Sequence, residues 1–367
     1  MDNKLIQGLL IASCALLLFA IIMTMADILH YKDAGVGVPV RTAAPAPTAA
    51  PAEPSLPPAP AALELAPTGT MGYATVDVAG LLSSEVVQGI LAQGGPMPPE
   101  VEQMDSMTWF FQEPEGPPAA GQAPSWCGVI KMKGTTLAEI EAGLAGEGSP
   151  VTVEGMDAYQ MQAPMSMGPG PQQVLLAVVD DSTVLMGSEE DALAQVIMVH
   201  EGGQQADVSE MWRMGSKFAD DHVSVGLVLT EDMTADLEGP AWMAGARGAG
   251  LGITLSDSLS VRGALTLASA ADAEQALAEA QAKISETKDE MAAQAEASPM
   301  MAGMVQPVSD LLDKIRISAR GAAVQGSLTV GEQELESLMG IVMMGMMGAM
   351  GGGAEMMGAP MEFPGPE

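Results

Sequence analysis

Methionine is the residue type whose clustering in this chain suggests chemistry most directly. Nine methionines fall between positions 339 and 361, and the densest group is Met343, Met344, Met346, Met347 and Met350. Thioether sulfur is a soft ligand that suits Cu(I), so these five residues are the candidate metal ligands. Neither His nor Cys accompanies them, and an apolar packing helix followed by a low-complexity tail has the same composition. A third interpretation is an adaptable segment that contacts a partner or a membrane surface. We favour the packing helix with its tail.

Paired carboxylates are the second candidate for chemistry. Asp180-Asp181 and Asp220-Asp221 could bind a divalent cation or act as acid and base. Each pair precedes a predicted strand, where Asp is a preferred turn residue, and no EF-hand spacing surrounds either pair. We therefore interpret both pairs as turn residues.

Nucleophile and phosphate motifs are missing from the sequence. No serine lies in a Gly-x-Ser-x-Gly pattern. The Gly-rich stretch 245–252 lacks Gly-Lys-Ser/Thr and precedes a strand, so we interpret it as a flexible entry to a hairpin. Cys127 lies inside a predicted strand with no histidine nearby and is interpreted as a small buried apolar residue. The residues thus predict no catalytic site and no cofactor.

The charge balance excludes one class of partner. Forty-seven acidic residues against 14 Lys and Arg give a formal net charge of −33. Such a surface repels phosphate backbones, so we expect no nucleic-acid partner. The acidity is typical both of proteins adapted to high salt and of ordinary soluble domains.

The N-terminus predicts a membrane anchor. Residues 5–26 carry no charge, and at 1.5 Å per residue these 22 residues would span roughly 33 Å, close to the thickness of a bilayer core. Within residues 1–32 the anchor is represented by Leu5, Leu9, Leu16, Phe19 and Ile22. The segment before Cys14 partly matches a lipobox, and cleavage is a further alternative. We favour an uncleaved signal anchor because the apolar run continues far beyond Cys14.

A Pro/Ala-rich linker is predicted over residues 33–68. Nine prolines lie between positions 39 and 67, and proline fixes φ and lacks a backbone donor. The linker should be extended and hold the rest of the chain away from the membrane. We expect a single-pass protein with a cytoplasmic N-terminus and its bulk on the extracytoplasmic side, periplasmic or at the cell surface.

Hydrophobic periodicity and turn residues predict an α+β fold downstream of the linker. The pattern predicts antiparallel sheets with helices on one face, because hairpins are followed by helices. We expect two similar lobes, the first over 69–203 and the second over 204–338, followed by a Met/Gly-rich tail over 339–367. Strands are predicted over 73–78, 107–111, 126–132, 151–162, 173–179, 183–187, 223–229, 250–255, 259–267 and 322–330, and helices over 80–92, 137–146, 189–200, 271–297 and 307–315.

The region 174–200, with Val184-Leu185-Met186-Gly187-Ser188-Glu189 at its centre, forms a strand, a tight turn, a strand and a helix. Behind a tethered anchor, it resembles a bacterial family of membrane-anchored extracytoplasmic proteins of unknown function with duplicated units of this kind. The resemblance covers residues 70–335 and implies no catalytic residues.

The sequence therefore predicts a non-catalytic, membrane-anchored protein that presents an α+β module for binding or scaffolding. Its expected partners are the membrane, through the N-terminal helix, and a protein of unknown identity. An extracytoplasmic hydrolase built from distant carboxylates and a Met-rich copper-handling protein are the alternatives.

Overall fold

The computed structural model describes residues 57–94, 99–112, 125–162, 173–230, 242–297 and 299–332, together with residues 234, 240, 334 and 335. The predicted anchor (1–32), most of the linker and the Met/Gly-rich tail (339–367) lie outside these residues. Within the described part of the chain, no helix combines the length and apolar character needed to cross a membrane.

The described chain is α+β, as predicted. Its strands are β1 (Thr70–Asp77), β2 (Met104–Gln112), β3 (Trp126–Met132), β4 (Ser149–Val153), β5 (Met156–Gln162), β6 (Gln173–Asp180), β7 (Thr183–Gly187), β8 (Val223–Val228), β9 (Ala246–Leu255), β10 (Ser258–Leu267), β11 (Arg316–Arg320) and β12 (Ala323–Gly331). Its helices are α1 (Val78–Ser83), α2 (Glu85–Gly94), α3 (Pro99–Glu102), α4 (Leu137–Glu147), α5 (Glu190–His200), α6 (Ser209–Gly215), α7 (Ala270–Ala297) and α8 (Pro299–Lys314).

All the strands join one antiparallel sheet in the order β11-β12-β10-β9-β8-β1-β2-β3-β7-β6-β5-β4. β1 and β8 pair at its centre, with Val76 opposite Val223 and Ala74 opposite Val225. The sequence had predicted several sheets, whereas the β1–β8 pairing makes one continuous sheet from strands on both sides of residue 204.

The sheet is buried on two faces. The face that carries Tyr73, Phe110, Cys127 and Leu185 is called the front. The opposite face, which carries Val76, Met107, Ile130 and Val184, is called the back. Leu193 of α5 and Trp212 of α6 pack on the front. Ile140 of α4, Ala273 of α7 and Leu311 of α8 pack on the back.

The prediction of helices on one face is therefore wrong. Every residue of β7 is buried, which is the signature of a strand covered on both sides.

Glycines allow α6 to lie directly on the front of β8 and β9. A Cβ at Gly226 would lie 2.4 Å from the Met211 carbonyl oxygen, and one at Gly250 would lie 2.3 Å from that of Met214. The Gly-rich stretch is thus mostly strand β9 rather than a flexible entry to the hairpin, and its glycines serve close packing.

Local sequence signals set several element boundaries. The predicted strand 151–162 is a hairpin, β4–β5, because Glu154 and Gly155 both adopt positive φ and reverse the chain. The predicted helix 80–92 breaks into α1 and α2 at Ser84, whose hydroxyl accepts a hydrogen bond from the Val87 amide. β11 was not predicted.

The end of the predicted linker packs on the core. Leu63 and Ala66 are fully buried in the front cluster, and the Trp212 indole Nε1 donates to the Pro57 carbonyl at 2.7 Å. Apolar side chains at Leu63 and Leu65 explain why the solvated spacer ends before residue 68, despite the prolines around them.

Candidate functional site

A basic cleft opens on the front face of β10, β12 and β11, beside the strands β8 and β9 that α6 covers. Its volume is about 270 Å³, and the charged side chains among its lining are Lys217, Arg262 and Arg316. Three of only 14 basic residues in a chain of net charge −33 therefore meet at one place. The volume lies just below the range of small-molecule pockets, roughly 300 to 1,000 Å³.

Strand register brings the polar side chains together. Arg262 of β10 is opposite Ser327 of β12, which is opposite Arg316 of β11. Neighbouring strands lie about 4.8 Å apart, so the two arginine Cα atoms are about 10 Å apart with a serine between them. The next row along the front places Gln325 opposite Ser318.

A buried carboxylate positions Arg262. Asp221 is 3% exposed at its side chain, and its Oδ1 accepts from Arg262 Nη2 at 2.6 Å and from Thr254 Oγ1 at 2.5 Å. The guanidinium carbon also lies 5.7 Å from the centroid of the Phe218 ring, a cation–π distance.

The lack of a side chain at Gly252 leaves room for the Asp221 carboxylate. A Cβ at Gly252 would lie 1.8 Å from Asp221 Oδ2, so no larger residue fits beside it. Oδ2 is buried and has no hydrogen-bond partner among the described residues, which leaves Arg262 and Thr254 to balance the charge at Oδ1.

The other two cations keep their charges available. Arg316 Nη1 donates to the backbone carbonyls of Asp313 and Ile315, at 2.7 and 3.4 Å, which orients the guanidinium without neutralising it. Lys217 is exposed in the 3₁₀ turn Ser216–Phe218. Within the described residues, no carboxylate forms an ion pair with either one.

The cleft can bind an anion but holds no acid–base pair. Guanidinium, ammonium, hydroxyl and amide groups all donate hydrogen bonds, and Arg matches carboxylate and phosphate geometry. No carboxylate, imidazole or thiol occurs among the described residues that line it. Ser318 and Ser327 thus have no base beside them to activate a hydroxyl.

A second cleft, on the back between α7, α8 and β11, differs in charge. It is lined in part by Lys288 and Asp313, whose Nζ and Oδ1 atoms are 2.6 Å apart. Arg316 also lines this cleft, but its other cation, Lys288, is already paired. The front cleft adds Lys217 and Arg262 to Arg316 and is therefore the stronger anion site.

The predicted carboxylate pairs serve different roles. Asp180 Oδ1 accepts from the Ser182 amide at 2.7 Å, as the turn interpretation requires. Although burial acts in the opposite direction, the hydrogen bonds from Ser182 lower the pKa of Asp180. Asp220 is exposed, whereas Asp221 is the buried partner of Arg262, so turn chemistry does not account for Asp221.

The remaining residues singled out from the sequence are Cys127, the candidate metal ligands and the anchor. Cys127 is fully buried, and burial raises the pKa of its thiol to about 12, which confirms the interpretation as a core residue. The described residues contain no cluster of His, Cys, Asp and Glu that could hold a metal ion. The candidate copper ligands Met343, Met344, Met346, Met347 and Met350 and the anchor residues lie outside the described residues.

Sequence reasoning missed the basic cleft. Its cations are 45 and 54 positions apart and match no motif, so only the register of the sheet joins them. One signal was available in the run Arg316-Ile317-Ser318-Ala319-Arg320, where polar and apolar residues alternate as in a strand with one solvated face.

Comparisons with known proteins add a distant structural similarity. No protein-family model and no curated protein sequence matches the chain. Solved structures of TP0453 in crystal forms III and IV are similar to 77% and 78% of the chain and to 98% and 97% of their own chains, with TM-scores of 0.41 and 0.40 and sequence identities of 10% and 12%. Similarity at this level carries no argument about function.

Proposed function

We propose that the protein is a non-catalytic, membrane-anchored extracytoplasmic module that binds a small ligand through a carboxylate or phosphate group in the basic cleft. The observation that carries the proposal is the convergence of Lys217, Arg262 and Arg316 in one cleft of a strongly acidic chain. Binding rather than catalysis is favoured because the described lining supplies hydrogen-bond donors without a general base.

Two similar lobes are part of the same proposal. Each contains a three-strand meander, β1-β2-β3 or β8-β9-β10, and a later hairpin, β6-β7 or β11-β12. The hairpin follows α4, β4 and β5 in the first lobe and α7 and α8 in the second. In both, the second strand of that hairpin joins the third strand of the meander. This correspondence supports a duplication.

The difference between the lobes explains why the cleft occurs once. After β7 the chain enters α5, which packs on the front so closely that a Cβ at Gly187 would lie 2.5 Å from the Leu193 amide nitrogen. After β12 the chain packs instead on the back, where Leu335 contacts the cluster around Val223 and Val330. The front of β10, β12 and β11 therefore keeps its polar side chains accessible.

Membrane attachment rests on the sequence of residues 1–68. A charge-free run of 22 residues followed by a proline-rich linker supports a single N-terminal anchor with the module on the extracytoplasmic side. In this arrangement the cleft would meet ligands outside the cytoplasm.

Calorimetric titration of the full-length protein tests the cleft, with inorganic phosphate and acetate as the two probes at matched ionic strength. We expect at least one of them to bind. Because Arg316→Gln and Lys217→Gln each remove a charged donor, each should weaken binding about tenfold. Lys133→Gln makes the same charge change in the turn after β3 and should leave binding unchanged.

Two results would overturn the proposal. The first is that neither probe binds at concentrations up to about 10 mM, the weak end of specific affinity. The second is an equal loss of binding in Lys133→Gln and Arg316→Gln, since this would show that only the overall charge matters.

A further inference from the structure

The outer edge of β11 is a template for strand pairing. β11 is the last strand of the sheet and pairs with β12 alone among the described strands. The strand at the other end of the sheet, β4, carries Pro150, which lacks a backbone N–H and is typical of a protected edge. β11 contains no proline, so every residue from Arg316 to Arg320 keeps its backbone donor and acceptor.

The side chains of β11 alternate in character between the two faces of the sheet. Arg316, Ser318 and Arg320 lie on the front and are exposed, whereas Ile317 and Ala319 lie on the back and are half-buried. Arg320 lies outside the lining of the basic cleft but on the same face, about 13 Å along the strand from Arg316. The edge thus presents two cations on one face and apolar side chains on the other.

A cleft borders β11 on each face. Arg316 and Ser318 line the basic cleft on the front. The second cleft, on the back, has a volume of about 330 Å³, and Ile317 lines it together with Ile284 of α7 and Leu312 of α8. The alternate side chains of a strand added beside β11 would therefore point toward a basic cleft on one face and a partly apolar cleft on the other.

An extended peptide can use such an edge with both its backbone and its side chains. The main-chain hydrogen bonds supply affinity, and pockets for alternate side chains supply specificity. The peptide residue opposite Arg316 would lie about 4.8 Å away on the front, where a carboxylate can pair with the guanidinium. A second acidic residue four positions along would meet Arg320, and the residues beside it would face Ile317 and Ala319 on the back.

A second copy of the chain does not fit this edge. Two antiparallel β11 strands centred on Ser318 would place Arg316 of each copy opposite Arg320 of the other, and like charges directly opposite are destabilising. The complementary occupant is therefore a different chain, with acidic side chains on its front face.

We propose that β11 binds an extended peptide of a partner protein as an added strand, in which two acidic residues four positions apart face Arg316 and Arg320. Apolar residues that alternate with them face the back. The inference rests on the proposed function for its anion contact, since it identifies the bound carboxylate as an acidic side chain of the peptide.

Fluorescence anisotropy of a labelled peptide tests the proposal with the full-length protein. The peptide has nine residues and blocked ends, with Glu at its third and seventh positions, Val at its even positions and Thr at the rest. We expect saturable binding at protein concentrations below about 1 mM. A peptide with Gln in place of both Glu residues should bind about tenfold more weakly, because two ion pairs are lost. No binding of the first peptide, or equal binding of both, would overturn the proposal.

N-methylation separates strand addition from binding through charges alone. In a strand, alternate residues direct their N–H groups to the same edge, so methylation of the odd or of the even positions blocks opposite edges of the peptide. We expect one of these two methylated peptides to lose binding at least tenfold and the other to bind like the parent. Equal affinities of the two would contradict pairing with β11.

Arg320→Gln links the peptide to the edge and separates this inference from the proposed function. The variant should weaken peptide binding about threefold, the effect of one exposed ion pair, and leave phosphate and acetate binding unchanged because Arg320 does not line the basic cleft. Arg247→Gln removes an exposed arginine from the inner strand β9 and should change neither. Phosphate binding without peptide binding would overturn this inference alone, whereas loss of both would overturn the proposed function as well.

Discussion

The ion pair behind the cleft permits a quantitative prediction for Arg262→Gln. The variant leaves the Asp221 carboxylate buried with only Thr254 to balance it, because its Oδ2 has no partner among the described residues. Loss of one partner from a buried pair costs about 3 to 5 kcal/mol. The Arg262 side chain is 45% exposed, so the cost should be at the lower end, about 3 kcal/mol.

Removing the carboxylate of Asp221 should destabilise the fold less than removing the guanidinium of Arg262. In Asp221→Asn the carboxamide oxygen can still accept from Thr254, and the half-exposed guanidinium regains water. We expect a loss of about 1 kcal/mol, typical of one hydrogen bond. Adding Asp221→Asn to Arg262→Gln removes the stranded charge, so the double variant should be more stable than Arg262→Gln by about 2 kcal/mol.

Thermal unfolding of the four proteins measures these differences. For a chain of this size 1 kcal/mol corresponds to about 2 to 4 °C, so Arg262→Gln should lower Tm by roughly 6 to 12 °C. Arg316→Gln is the matched control, because it removes an unpaired arginine from the same cleft and should change stability by under about 0.5 kcal/mol. The reasoning is refuted if both single arginine variants unfold at the same temperature, or if Asp221→Asn fails to rescue Arg262→Gln.

Two further predictions concern Gly252, beside Asp221, and the buried Cys127. Gly252→Ala places a Cβ 1.8 Å from Asp221 Oδ2 and should destabilise the fold by about 3 kcal/mol in urea unfolding, whereas Gly326→Ala, whose Cβ would meet nothing nearer than 4.0 Å, should be nearly neutral. Equal midpoints for the two variants would contradict the close contact. Cys127 should resist iodoacetamide at pH 8 in the folded protein and react after denaturation, because burial raises the pKa of its thiol to about 12. Peptide mapping separates it from Cys14, and alkylation of native Cys127 would contradict its burial.

The sequence predicts most elements of this fold because their signals are local. The pattern Thr136-x-x-Glu139 predicts a capping box, and this box begins α4, with the Thr136 amide donating to Glu139 Oε2 at 2.9 Å. Ser269 likewise begins α7, and its hydroxyl accepts from the Asp272 amide at 3.1 Å. Ser188 directly precedes the predicted helix 189–200, which favours a capping role, but its hydroxyl instead accepts from the Trp126 amide across the sheet and does not cap α5.

Non-local contacts explain what the sequence does not predict. Nothing near Val76 indicates that β1 pairs with β8, more than 140 residues later. The cleft depends on the same kind of contact, because Arg262 and Arg316 become neighbours only when β12 lies between β10 and β11. A local pattern can identify a strand with one polar face, as in β11, but not the strand that will lie beside it.

Cations elsewhere in the second lobe are the reference against which the cleft is judged. The chain has 47 acidic residues against 14 basic ones, and three lysines of this lobe form ion pairs. Lys283 pairs with Glu286, Lys288 with Asp313 and Lys314 with Glu334. Lys217 and Arg316 have no such partner among the described residues, and neither have Arg247 and Arg320 elsewhere in the lobe. The cleft is therefore distinguished by the convergence of its cations rather than by the lack of ion pairs alone.

Local contacts hold the two arginines of the cleft in place. Arg316 is oriented by backbone carbonyls, and Arg262 is held by a carboxylate that is itself buried behind it. At physiological salt the screening length is about 8 Å, so the distant acidic surface acts weakly on an anion inside the cleft, whereas Lys217 and Arg316, which have no ion pair among the described residues, act on it at close range. A bound carboxylate or phosphate would therefore experience a local positive potential despite the net charge of the chain, and the −33 would chiefly slow its approach.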